Sequence, residues 1–221
     1  MVEIQVFIEG AVLDHENHSA LTMDNSQRFR EGFRKLFSKA FAEEDLKIIV
    51  QNGSGIKQTV NFFKQHATAV PSVLLLIDLE APKTQRNAVL AQYDLSDWQH
   101  SVFFMIQAME AWILSQPDKI EQCFSKLRHG EERIENDNSL RGVHPESILH
   151  PESVLNTILS RYFRIVKNGT VKKLKYHGGK LKIAPDLIER LDFNGLRATF
   201  EDVDRLYLKI TALRINDAEE A

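Results

Sequence analysis

Residues 2–10 read VEIQVFIEG, with Ile4, Val6 and Ile8 alternating with Glu3 and Gln5, and Phe7 apolar as well. Period two predicts a β-strand, here buried over most of its surface. A polar stretch follows, AVLDHENHSALTMDN, and reads as a loop. In SQRFREGFRKLFSKAFAEE, residues Phe29, Phe33, Leu36, Phe37 and Phe41 recur at i, i+4, i+7, i+8 and i+12. That spacing predicts an amphipathic helix with a basic outer face and a phenylalanine stripe for the core. LKIIVQN reads as a second strand, GSG at 53–55 breaks the chain, and IKQTVNFFKQHA reads as a helix. SVLLLIDLE is a continuous apolar run, the pattern of a central parallel strand covered on both faces. KTQRNAVLAQYD then reads as a helix, HSVFFMI as a fourth strand and QAMEAWILSQ as a helix. Four β-α units joined by short connections predict an α/β fold, a mainly parallel sheet with helices on both faces.

Beyond Pro117 the alternation stops. DKIEQCFSKL reads as a helix, and residues 129–153 are polar, with HPES at both 144–147 and 150–153. Two copies of four residues do not make a repeat architecture, but each Pro-Glu pair can open a helix. SVLNTILSRYFRIV reads as one strong helix and KNGTVKKLKYHGGK as a basic loop. APDLIERLD and FEDVDRLYLKITALR read as two more helices, and NDAEEA as a frayed tail. The expected organisation is an α/β core over residues 1–116 and a helical extension over 117–221 packed on it, the two forming one continuous domain in the alternative reading.

Composition narrows the classes. No apolar run reaches the roughly 18 residues of a membrane span, and the N-terminus alternates like a strand rather than a signal peptide. The chain has a single cysteine, Cys123, on an expected helix. It reads as a small buried hydrophobe in a cytoplasmic, reducing setting rather than as a nucleophile. The net charge of −3 argues against a module that coats nucleic acid through its overall field. It is compatible with a nuclease, whose carboxylate-rich metal site carries negative charge of its own.

In a parallel α/β sheet, ligands gather beyond the carboxyl ends of the strands. Glu9 ends the first strand, Asp78 and Glu80 end the third, and Glu110 lies just past the fourth in the first turn of a helix. In an extended chain residues i and i+2 share a side, so Asp78 and Glu80 could share one ion. Each acid alone also has an ordinary reading, as a polar strand end, a turn residue or a helix-dipole partner. Together, like charges at one sheet edge cost stability unless a cation compensates them. Oxygen-only ligands suit Mg2+ or Mn2+ rather than Zn2+. The remaining features are weaker. NGSG before a helix reads as a turn before it reads as an anion cradle. His15 and His18 lie in a loop near Glu9, and His100 reads as a packed core residue. The basic group Lys167, Lys172, Lys173 and Lys175 could contact phosphates or be a solvated loop. Trp98 and Trp112 read as core or interface residues.

The Glu-Gly after the first strand and the acidic pair after the third resemble the Toprim fold of topoisomerases, primases and nucleases of the overcoming-lysogenization-defect (OLD) type. More closely, VFIEG, FREGFRKLF, GSGIKQTVNFF, LLLIDLEAP and HSVFFMIQAMEAWILSQPD resemble a bacterial family of uncharacterised proteins, domain of unknown function 4276. The resemblance covers most of residues 1–120 and, more weakly, 170–213. It implies a Toprim-like core with a metal-dependent nuclease activity, on DNA or RNA, exerted with an ABC/OLD-type ATPase in antiphage defence. It implies Glu9 as metal ligand or general base, Asp78 and Glu80 as the acidic pair and Glu110 as a further acid holding Mg2+ or Mn2+. Lys180, with Lys182 as its rival, would neutralise charge on the scissile phosphate; read from the basic cluster itself rather than from the resemblance, Lys172, Lys173 and Lys175 would contact nucleic acid. The Toprim pair is usually Asp-x-Asp, so Glu80 departs by one methylene. The alternative is a non-catalytic Toprim-fold partner or sensor that docks on the ATPase; a homo-oligomer is compatible with either.

Overall fold

The computed structural model describes residues 2–10, 20–42, 45–176 and 180–220. The first half runs β1 (Val2–Gly10), α1 (Ala20–Ala40), β2 (Leu46–Ser54), α2 (Gly55–Ala67), β3 (Val73–Asp78), α3 (Arg86–Gln92), β4 (Val102–Met105) and α4 (Met109–Leu114). The second half adds α5 (Pro117–Cys123), α6 (Pro151–Tyr162), the strands β5 (Arg164–Lys167) and β6 (Thr170–Lys173), then α7 (Lys180–Ile188), α8 (Phe193–Thr199) and α9 (Glu201–Glu220). The main sheet has four strands in the order β2-β1-β3-β4, with every pairing parallel. The chain is thus α/β with helices on both sheet faces and a helical C-terminal part, a layout consistent with a Toprim-like core.

Strand alternation sorts the two faces. Ile4, Val6, Ile8, Leu74, Leu76, Phe103 and Met105 pack toward α1 and the C-terminal helices. Phe7, Val73, Leu75, Ile77, Val102 and Phe104 pack toward α2 and α3. The five predicted stripe residues, Phe29, Phe33, Leu36 and Phe37 in α1 and Phe41 just past its end, are all buried in the larger cluster. That cluster also takes in Trp112, Leu155, Leu187, Phe193 and Val203, so apolar packing is continuous across the boundary at residue 117. Gly32 makes one close approach possible: a Cβ there would sit 3.0 Å from the Pro185 carbonyl, so α1 and α7 meet backbone to backbone.

β4 is a sheet edge, and its outward main-chain groups are occupied by side chains. Asp202, only 6% exposed, accepts the Phe104 N–H at 2.8 Å. Arg86 donates to the Val102 carbonyl at 2.9 Å and pairs with Asp202, which Arg205 holds from its other oxygen at 2.7 Å. An ion pair thereby covers an edge that would otherwise recruit another strand.

Several elements differ from the sequence pattern. The helix expected through residue 166 ends at Tyr162, and the basic segment beyond it is a hairpin rather than a loop, with Val166 opposite Val171 and Lys167 opposite Thr170. Asn168 and Gly169 have φ of 52° and 72°, the doubly left-handed turn that matches strand twist. α1 begins at Ala20, inside the expected loop, α8 is an additional helix, and α9 runs on to Glu220. His100 is exposed, because β4 starts two residues after it. His15 and His18 lie outside the described residues.

Candidate functional site

With strand order 2-1-3-4 the chain crosses from one side of β1 to the other between β2 and β3. The topological switch point, where open α/β sheets form their crevice, therefore falls between the carboxyl ends of β1 and β3. These ends carry Glu9 and Asp78. Asp78 lies on the alternation set of Leu74 and Leu76, toward the C-terminal helices. Its Oδ1 accepts the Met109 N–H at 2.8 Å, so it anchors the start of α4. Glu9 lies on the opposite set, with Phe7, toward α2 and α3. Tyr93, which follows α3, has its phenol pushed up by burial and then by the charges of Glu9 and Glu80. Glu80 is therefore near both sides of the edge. It is exposed, and among the described residues no hydrogen bond holds its side chain.

Asp78, Glu80 and Glu110 line a single cleft of about 350 Å³, together with Gln107, Ala108 and residues 149–153. Glu152, in the first turn of α6, brings a fourth carboxylate that the sequence reading missed. Its signal was present: the second HPES places Pro-Glu where a helix opens, just before the strong apolar pattern. Glu110 is fully buried. The Tyr176 hydroxyl, itself buried, donates to Glu110 Oε1 at 2.9 Å. Burial, then the charge of Glu110 and this hydrogen bond, then Glu152 and Asp78, hold the phenol well above its ordinary range. Tyr176 is thus a protonated donor facing a group of acids, and a lone tyrosine in a basic stretch offered no pattern to find it by.

The cleft also concentrates unusual backbone. Among the described residues, five non-glycines have positive φ, and three of them line it: Glu80 at 52°, Gln107 at 63° and His150 at 53°. Left-handed conformations cost such residues of order 1–3 kcal/mol and gather at functional sites. The left-handed Glu80 also means that it is not in extended chain, so alternation does not set its direction relative to Asp78.

An all-oxygen donor set at a cleft fits a hard divalent cation. Yet among the described residues no three His, Cys, Asp or Glu side chains stand close enough together to hold one ion. Closing a ligand sphere would take side-chain rotation, for which the exposed Glu80 is best placed. Lys180 opens α7, and its side chain lies outside the described residues; four Cα steps put its backbone within about 14 Å of Tyr176. Lys182 is exposed. Lys172 and Lys173 are neighbours in β6 and so face opposite sides of the hairpin, and Lys175 is exposed just beyond it. Cys123 has its thiol pushed up to about 11 by burial, which keeps it protonated and inert. Trp112 is in the core and Trp98 packs at the edge of the smaller cluster. At NGSG the Ser54 N–H donates to Gln58 Oε1 at 2.5 Å, the arrangement of a closed turn. No helix among the described residues is long and apolar enough to cross a membrane.

A family model described as Domain of unknown function (DUF4276) matches residues 16–211. The match takes in Asp78, Glu80, Glu110, Glu152 and Lys180 and leaves Glu9 outside it. No curated protein and no solved structure matches the chain.

Proposed function

The chain belongs to the DUF4276 family, and we propose that it is a metal-dependent nuclease of the Toprim type, hydrolysing phosphodiesters in DNA or RNA. The observation that carries this reading is the cleft beside the switch point, which four carboxylates line and where three non-glycine residues, Glu80 among them, are left-handed. Asp78, Glu80 and Glu110, with Glu152 and with Glu9 across the edge, would hold Mg2+ or Mn2+. The bound ion would supply positive charge to a phosphoryl oxygen and acidify a water. Of the chain's own groups, Asp78 is fixed by Met109, Glu110 is oriented by the Tyr176 phenol, and Glu80 is the arm with freedom to adjust. Lys180 would offset charge on the phosphate. An ABC/OLD-type ATPase is the proposed partner and antiphage defence the proposed setting.

The test is cleavage of plasmid and RNA in Mg2+ or Mn2+, with and without the ATPase. We expect cation-dependent cleavage that is lost in Glu80→Gln and Glu110→Gln and strongly reduced in Asp78→Asn and Glu9→Gln. Cleavage unchanged in all four variants would sink the mechanism.

A second reading, a non-catalytic subunit that docks on the ATPase, is favoured by one observation. Asp78 and Glu110 already have structural partners, and among the described residues no three acids converge as they stand. Anomalous scattering from Mn2+-soaked crystals separates the two: a peak between Asp78 and Glu80 supports the nuclease, and an empty cleft with intact ATPase binding supports the docking subunit.

A further inference from the structure

A second cleft, of about 400 Å³, is lined by Asn156, Thr157, Ser160, Arg161, Arg164 and Lys173. We propose that it binds backbone phosphate of a nucleic acid and holds the strand a fixed distance from the acidic cleft, with α6 setting that distance. The proposal takes its direction from the nuclease reading, but phosphate binding here stands without it.

Charge comes first. Arg164 and Lys173 are Cα partners across the antiparallel β5–β6 ladder. Like charges directly opposite on one face of a ladder destabilise it. Arg161, in the last turn of α6, adds a third cation. Among the described residues no acid lines this cleft; Arg161 is paired with the buried Asp137, but no acid there offsets the Arg164–Lys173 repulsion. An anion would.

The cations are also held in place. Arg164 donates through Nη1 to the carbonyls of Ser160, Arg161 and Phe163, which pins its guanidinium at the end of α6. Arg161 is tied to the buried Asp137. Ser160 donates to the Leu174 carbonyl at 3.0 Å and Asn156 accepts the Tyr176 N–H at 2.9 Å, so the hairpin and its exit lie fixed along the helix. Among the described residues the walls are polar and none is aromatic. Such a site reads phosphates rather than bases and is indifferent to sequence.

The geometry links the two clefts. Residues 151–153 of α6 line the acidic cleft, and residues 156, 157, 160 and 161 line the basic one. Ser153, Thr157 and Ser160 follow one another at i, i+4 and i+7, on one face of α6. At 1.5 Å per residue the two clefts are centred about 10 Å apart along that face. The same hairpin exit also carries Tyr176 to Glu110, so a strand seated at Arg164 and Lys173 would lie beside the element that orients the acidic cleft.

The experiment measures binding of labelled single-stranded oligonucleotides to the full chain in EDTA across a salt series. The variants are Lys173→Glu and Thr157→Glu. Both residues are exposed; Lys173 has no hydrogen bond among the described residues, and Thr157 bonds only to the Ser153 carbonyl one turn back. Each variant is expected to bind about ten-fold more weakly at low salt, and Lys173→Glu to lower the slope of log K against log salt by about 0.7. Weakened binding in a protein that proves not to cleave would uphold this cleft while removing the nuclease reading. Affinity and slope unchanged in both variants would overturn the cleft, whether or not the protein cleaves.

Discussion

Tyr176 and Glu110 are both shut off from solvent, so the bond between them is made at the expense of two hydration shells. A buried carboxylate that loses a donor keeps its desolvation cost. Tyr176→Phe, which preserves the ring packing, should therefore destabilise the fold by about 1–3 kcal/mol, seen as a lower urea midpoint with an unchanged slope. Asp137 makes a comparable case on the other side of α6. Burial works to raise its carboxyl, but the hydroxyl and N–H of Ser139, the Tyr162 hydroxyl and the Arg161 charge outweigh it and hold it below the ordinary range. A depressed folded-state value means that the unfolded chain takes up protons first on acidification. This contribution is complete above the unfolded value of about 3.9 and is lost as pH falls through the folded one. Stability measured against pH should fall more gently below about pH 4 in Asp137→Asn than in the parent chain.

Among the elements, β4 is the most dependent on charges distant in sequence. Asp202 of α9 satisfies the Phe104 N–H and is compensated by Arg86 and Arg205. Asp202→Ala leaves the partly buried Arg86 beside Phe104 without its anion and orphans an edge N–H. A loss of about 3–5 kcal/mol is expected, and a double-mutant cycle with Arg86→Met should show strong coupling. None of this was legible beforehand, because Arg86 and Asp202 are 116 residues apart and each reads as a surface charge. The strands and the α1 stripe were legible because burial imposes period two or 3.6 on apolar residues. The Asn168-Gly169 hairpin carried its own local signal, yet the apolar periodicity of SVLNTILSRYFRIV ran across the junction and masked it. The site divides the same way. The place of the acids at strand ends was legible from the pattern, whereas the opposite faces of Glu9 and Asp78 depend on the β1–β3 register, and the left-handed turn at Glu80 and the burial of Glu110 depend on elements folded against them. Glu152 and Tyr176 join the site only because α6 and the β6 exit are packed across the end of the sheet.

For the whole molecule, the acidic cleft is a store of repulsion that a cation would relieve, so metal binding and global stability should be linked. A ligand that binds only the folded chain raises stability by RT ln(1 + [L]/Kd), about 2.7 kcal/mol at a hundred-fold excess over Kd. Thermal unfolding in Mn2+ should thus move upward with concentration. Glu80→Gln is the decisive variant. Its side chain has no hydrogen bond among the described residues, so the metal-free melting temperature should stay close to that of the parent, or rise slightly as one like charge is removed. The Mn2+-dependent shift should then fall by most of its size, and that difference separates ligation from packing. Asp78→Asn cannot make the separation, because Asp78 also accepts the Met109 N–H and its substitution disturbs α4 directly. A parent chain whose melting temperature ignores Mn2+ would remove the cation from this cleft. It would leave the acids with their structural partners and favour the docking subunit.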